Sequence, residues 1–174
     1  MKFKLSLIVL FCLNLLSCEK NKVEPIYPIG EGFELYLTVA PYSSMPVFDY
    51  NTIDFDTIAL FDSPLLRYND LNKYDTISHK LTLNISHDSL NFGFSGVYGR
   101  MFVATIDKEP IYCGFFWPLN SSVPSNWVFI EEPYEELDHL NDNELVISFV
   151  SEIYSDPRLD KRITDRLKID GKIK

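Results

Sequence analysis

Few residues in this chain have types and spacings that could do chemistry. Ser121-Ser122 offers hydroxyls, and His79, His87 and His139 are the three imidazoles available as a base, with His139 the pairing considered for a serine hydrolase. A serine nucleophile needs that base within hydrogen-bond reach and usually sits on a tight Gly-x-Ser-x-Gly elbow. The chain has no such elbow. The simpler reading is that these serines bond to nearby backbone and organise the loop after an apolar run. Oxygen ligands occur at Asp54-x-Asp56 and in the group Glu131, Glu132, Glu135, Glu136, Asp138 and His139. Neither matches a calcium loop with its central glycine and terminal glutamate. No His-x-x-x-His or Cys-x-x-Cys supplies a zinc pair. No metal or other cofactor is expected. With 25 acidic residues, any two could be offered as a glycosidase pair, so the pairing carries no information.

The aromatic residues are the better functional candidates. Tyr112, Phe115, Phe116 and Trp117 lie in one apolar run, with Trp127 and Phe129 shortly after. Alternate strand positions face opposite ways. Phe115 and Trp117 therefore share one face, and Tyr112 and Phe116 the other. If one face is core and the other open, the open one could hold a sugar ring, a peptide or a partner protein. The residues expected to bind are Tyr112, Phe116, Trp117, Ser121, Ser122 and Trp127.

The elements that must position these residues follow from hydrophobic pattern. Phe33–Val39 and Lys80–Ile85 alternate as strands, and a strand is also expected over 57–61. A weak helix is expected within 65–74, and a single helical turn after Ser86. Met101–Asp107 and Ile111–Trp117, joined at Lys108-Glu109-Pro110, predict a β-hairpin. Both runs are apolar on both faces, so the hairpin should be central or covered by another layer. Residues 127–130 and 145–150 read as further strands, with a solvated acidic connection between them. Asp156-Pro157, then Leu159, Ile163 and Leu167, then Gly171, predict a C-terminal amphipathic helix. The expected class is α+β, a strand-rich sheet with a central β-hairpin and this helix; a mostly-β sandwich is the alternative.

The N-terminus carries a different signature. Lys2 and Lys4 precede a run from Leu5 to Leu16 that is apolar except for Ser6 and Asn14, then Leu15-Leu16-Ser17-Cys18. The run has the length of a secretion signal and is too short to span a ~30 Å hydrocarbon core. Leu15-Leu16-Ser17-Cys18 resembles the lipobox of bacterial lipoproteins. The resemblance implies lipidation of the Cys18 thiol and cleavage before it. The expected organisation is a signal peptide over 1–17, a lipidated tether over 18–31, and one globular domain over 32–174. Glu19 after the cysteine differs from the Asp that retains some lipoproteins on the inner membrane, so the outer membrane of the cell envelope is the expected address. Losing Lys2 and Lys4 leaves 14 basic against 25 acidic residues, a net charge of −11. Such a balance argues against nucleic acid and against charge-driven binding of anionic lipid. Cys12 leaves with the signal and Cys18 carries lipid, so Cys113 is left alone and no internal disulfide forms.

Two further resemblances concern the mature part. Phe102-Val103-Ala104-Thr105-Ile106-Asp107-Lys108-Glu109-Pro110-Ile111-Tyr112, with Gly114, Phe116-Trp117 and Ser121-Ser122, resembles a motif of small secreted or lipid-anchored bacterial domains. That group brings no activity with it. Asp56-Thr57-Ile58, Asp75-Thr76-Ile77 and Asp88-Ser89-Leu90 resemble the acceptor of some periplasmic O-glycosylation systems, which implies exposed glycans on Thr57, Thr76 and Ser89. The expected function is a non-enzymatic, lipid-anchored binding module of the cell envelope. Its partners would be the membrane, through the Cys18 lipid, and a protein or glycan. A serine hydrolase and a structural accessory of an envelope complex are the alternatives.

Overall fold

The β-hairpin at the centre of the chain organises everything else. The computed structural model describes residues 27–40, 50, 53–93, 96–132 and 140–174. The expected signal peptide, Cys18 and the tether as far as residue 26 lie outside these. Strand β4 (Arg100–Ile106) pairs antiparallel with β5 (Glu109–Pro118) through a two-residue turn, Asp107-Lys108. Both turn residues have positive φ, 52° and 71°, the mirror-image turn whose twist matches that of the strands it joins. The turn thus falls one residue earlier than expected. Pro110, which has no N–H to give, sits in the strand opposite Thr105, where the register slips and Ile111 is the extra residue. At Gly114 a Cβ would lie 2.3 Å from Phe102 Cζ, so the Phe102 ring across the strand occupies the space a side chain would need.

The hairpin lies inside a five-stranded sheet. Strand β1 (Phe33–Leu37) pairs antiparallel with β4. Strand β6 (Val128–Glu132) pairs parallel with β5, and β8 (Ser148–Phe149) closes the far side, giving the order β1-β4-β5-β6-β8. Residues 119–127 carry the chain back from the end of β5 to the start of β6. A second sheet has the order β2-β3-β7, from β2 (Leu71–Tyr74), β3 (Lys80–Leu83) and β7 (Glu144–Val146). The strand expected over 145–150 is therefore shared. It breaks at fully buried Ile147, serving one sheet before it and the other after it.

Three expectations are corrected. The helix expected within 65–74 is a 3-10 turn at Tyr68–Asp70 followed by β2, because Leu71 and Tyr74 pair with Leu83 and Leu81 of β3. The strand expected over 57–61 is a 3-10 turn at Phe55–Thr57, capped by Asp54, with a single bridge from Leu60 to Thr38. The C-terminal helix starts later than its first aspartate suggests. Asp156 caps a 3-10 turn at Pro157–Leu159, and Asp160 caps the α-helix α1 (Lys161–Ile169). Leu159 consequently points outward, while Ile163 and Leu167 are fully buried and Gly171 ends the helix at φ 67°. The described residues thus form a strand-rich fold of two sheets with one C-terminal α-helix.

The segment expected to be free tether through residue 31 joins the fold at Tyr27. Tyr27 N–H donates to Asn69 Oδ1 (2.8 Å), and Asn69 Nδ2 donates back to Tyr27 O (2.6 Å). The Tyr27 ring packs on Tyr68 at 4.7 Å, under the guanidinium of Arg166. Gly30 N–H donates to the buried Glu34 carboxylate (2.9 Å), and Gly32 N–H to Asp107 Oδ1 (2.7 Å). A Cβ on Gly32, at φ 81°, would fall 2.0 Å from the Tyr68 ring. The chain therefore enters beside the β4–β5 turn and α1, since Arg166 also pairs with Asp107 at 2.9 Å.

Candidate functional site

The aromatic residues picked from the sequence are core. Tyr112, Phe116, Trp117 and Trp127 are 3%, 0%, 6% and 5% exposed, and Phe115 is fully buried. Phe116 packs on Phe92 at 4.4 Å and Phe102 at 5.0 Å; on the other face Trp127 stacks on Tyr50 at 4.4 Å. Both indole N–H groups donate inward, Trp117 Nε1 to Val123 O (3.1 Å) and Trp127 Nε1 to Cys113 O (2.9 Å). Tyr112 is enclosed, its hydroxyl has no partner among the described residues, and burial holds its phenol far above the ordinary range. Of the two alternatives, an open aromatic face and burial on both faces, these four positions show burial. Both faces of the hairpin are covered, which is what two strand runs apolar on both faces require.

The serines divide. Ser121 Oγ lies 2.8 Å from Val97 O and 3.1 Å from Val123 O, and accepts from Val123 N–H. Its role here is to pin the return loop to the turn before β4. Ser122 is exposed. His139, the base paired with them from the sequence, lies outside the described residues. His79 is buried, with Nδ1 2.6 Å from Tyr74 Oη, and burial lowers its pKa. Cys113 is also buried, its thiol pushed up to about 12 by desolvation, so it is inert toward reagents. Of the expected glycan acceptors, Thr57 and Ser89 are exposed at the ends of 3-10 turns, and Thr76 is half-buried in the β2–β3 turn. No group of three or more metal-ligating side chains occurs among the described residues. Asp54, one candidate ligand, uses Oδ1 to cap the Asp56 N–H.

Three of the exposed large apolar side chains lie where β4 begins and β5 ends. Val97, Tyr98 and Leu119 are 52%, 39% and 38% exposed. The Ser121–Val97 bond ties their two segments together. At the same end of the sheet, where β1 ends opposite the start of β4, a groove of about 380 Å³ is lined by Leu37, Phe61, Asp62, Ser63, Pro64, Leu65 and Asn91. Phe61 N–H donates to Leu37 O and Leu65 N–H to Leu35 O, so the chain between them leaves the β1 edge and opens the groove. The sequence signal for this site was Val97-Tyr98 between Gly96 and Gly99, two large side chains on a glycine-framed turn.

The charged groups at this end are Arg100 and Glu132. Arg100 Nη1 donates to Phe92 O (2.8 Å), and its Nε is buried without a partner among the described residues. Burial pushes the Glu132 carboxyl up to about 7, with the Arg100 charge opposing the rise. A half-buried carboxyl of this kind changes charge near neutral pH. The arrangement as a whole offers apolar contact and one titrating group, with no nucleophile–base pair among the described residues. No family model, no curated protein and no solved structure matches this chain.

Proposed function

We propose that the protein is a non-enzymatic, lipid-anchored binding module of the bacterial cell envelope, of α+β class, held to the outer membrane through Cys18. The chain would belong with the small secreted or lipid-anchored domains its hairpin motif resembles. The observation that carries the reading is the accessible apolar end of the hairpin, Val97, Tyr98 and Leu119 at the same end of the sheet as the groove at Leu37 and Phe61. It lies across the sheet from Tyr27, where the tether enters. β4 has seven residues, so the separation is about 20 Å at the rise of a strand. An anchored domain that presents apolar surface away from its anchor is suited to holding a partner. A protein is favoured over a glycan because both indoles, the broadest rings for sugar stacking, are withdrawn into the core. The groove is of a size to take a side chain or two of an extended segment.

A photo-crosslinking residue at Leu119, compared with one at Ile77 on the β2–β3 turn, tests the reading in intact cells. A discrete protein adduct from Leu119 that disappears with Val97→Glu is expected. Equal or absent adducts at both positions would overturn the placement, and a glycan adduct would overturn the choice of partner. Labelling of Ser121 or Ser122 by a fluorophosphonate would replace the reading with a hydrolase.

A further inference from the structure

We infer that the C-terminal end of α1 is a membrane-facing surface that rests on anionic lipid headgroups, an inference that depends on the Cys18 anchor. The first observation is charge. Residues 156–174 hold seven Lys or Arg and four Asp, a net of +3 in a chain whose total is −9. Four of these cations are neutralised: Arg158 by Asp156, Arg162 by Asp160, Lys161 by Asp165, and Arg166 by Asp170. Lys172 is buried, donating to Tyr68 O and Leu71 O. Lys168 and Lys174 are exposed and make no close ion pair among the described residues, the Lys174 charge acting on exposed Asp75 from a distance. Lys73 joins them, its Nζ on Gly171 O, the residue that ends the helix. Lys168 is the chain neighbour of Ile169, which is 80% exposed, and Lys73 and Lys174 sit at the segment that follows the helix. An exposed apolar side chain with lysines at the same helix end matches the chemistry of an anionic bilayer surface, where charge draws the lysines and the apolar group enters the interface.

The second observation is where the tether enters. Tyr27 lies under Arg166 and Lys172, at 5.8 and 5.9 Å from ring centroid to cation. It lies nine positions after Cys18, a reach of about 30 Å even fully extended. A lipid on Cys18 thus confines this end of the fold to the neighbourhood of the headgroups. Confinement also makes a weak attraction effective, because the surface is already within reach. The orientation points the Val97–Leu119 end away from the bilayer. The acidic balance of the whole chain, which argues against lipid binding when read as a total, conceals this one cationic end.

The test uses the full-length lipidated protein reconstituted in vesicles of phosphatidylcholine, with or without phosphatidylglycerol, that contain headgroup-spin-labelled lipid. Ile169→Cys and Val97→Cys each carry a maleimide fluorophore, which buried Cys113 does not compete for. Quenching at position 169 but not 97, only with phosphatidylglycerol and reversed by salt, is expected. At about fivefold per lysine, Lys168→Gln with Lys174→Gln should lower the engaged fraction's equilibrium constant roughly thirtyfold. Acylated, vesicle-bound protein with equal quenching at both positions, or none, would overturn the orientation and leave the anchor standing. Absence of acyl label, or vesicle association unchanged by Cys18→Ala, would overturn the anchor and the orientation together.

Discussion

Replacing Trp127 by Ala separates a core ring from a binding ring. The indole is 5% exposed, stacks on Tyr50 at 4.4 Å and 5°, and meets Phe149 and Tyr154 edge-on at 5.4 and 5.3 Å. A tryptophan buries about 200 Å², which at about 25 cal/mol per Å² is roughly 5 kcal/mol as an upper bound. Residual burial in the unfolded chain removes about a quarter of that. Losing the bond to Cys113 O (2.9 Å) returns about 1 kcal/mol. The expected destabilisation is about 4–5 kcal/mol, a large share of the ~5–15 kcal/mol that holds a domain together. Trp127→Phe keeps the stack and loses the bond, and should cost about 1–2 kcal/mol. Urea unfolding followed by far-UV circular dichroism measures both, with the m-value unchanged. A cost under 1 kcal/mol for Trp127→Ala, together with selective loss of a partner, would refute the packing argument and restore the ring to the surface.

Three other outcomes are expected. Glu132 has a folded pKa near 7 against about 4.5 unfolded, so the folded state holds its proton more tightly; its contribution to stability should fall by about 2–3 kcal/mol as pH rises from roughly 4.5 through 7, and Glu132→Gln should remove that slope when the two stability–pH curves are subtracted. Gly114→Ala drives a Cβ to within 2.3 Å of Phe102 in a filled core and should cost about 3 kcal/mol in chemical denaturation, with part recovered by adding Phe102→Leu. If the Asp-Ser/Thr-aliphatic motifs are glycan acceptors, intact-mass measurement of envelope-derived protein should show occupancy at exposed Thr57 and Ser89 and less at half-buried Thr76; an unmodified mass would dismiss the motifs.

The parts of the fold that were legible are those where one physical rule acts alone. The β4–β5 hairpin follows from two long apolar runs with a short polar connection, and its burial on both faces from apolar residues on both faces of each run. Ile163 and Leu167 follow from helical period. The misread elements are those where rules compete. Asn69-Asp70-Leu71-Asn72-Lys73-Tyr74 has no clear period, and its strand exists because β3 offers pairing partners for Leu71 and Tyr74. Asp156-Pro157 is a good helix start locally, and it starts a 3-10 turn because a second aspartate four residues later caps the longer helix.

The candidate site was harder to read, for a related reason. A cluster such as Phe115-Phe116-Trp117 signals burial and binding equally well, and only the covering layer decides between them. That layer comes from distant segments: Tyr50, Phe92 and Tyr154 supply the rings that close over the hairpin. Val97, Tyr98 and Leu119 are individually ordinary apolar residues. They become a surface because Ser121 ties the return loop to the turn before β4, leaving them outside the closed core. The same loop also accepts the Trp117 indole N–H, so burial of the rings and exposure of the patch have one structural cause. Ser121→Ala should therefore loosen the patch and the Trp117 environment together. A red shift of the Trp117 fluorescence in a Trp127→Phe background, accompanied by loss of the Leu119 crosslink, is the coupled result expected. Loss of the crosslink with the Trp117 emission unmoved would mean that the loop carries the partner contact itself, and that its bonds to Val97 and Trp117 are incidental.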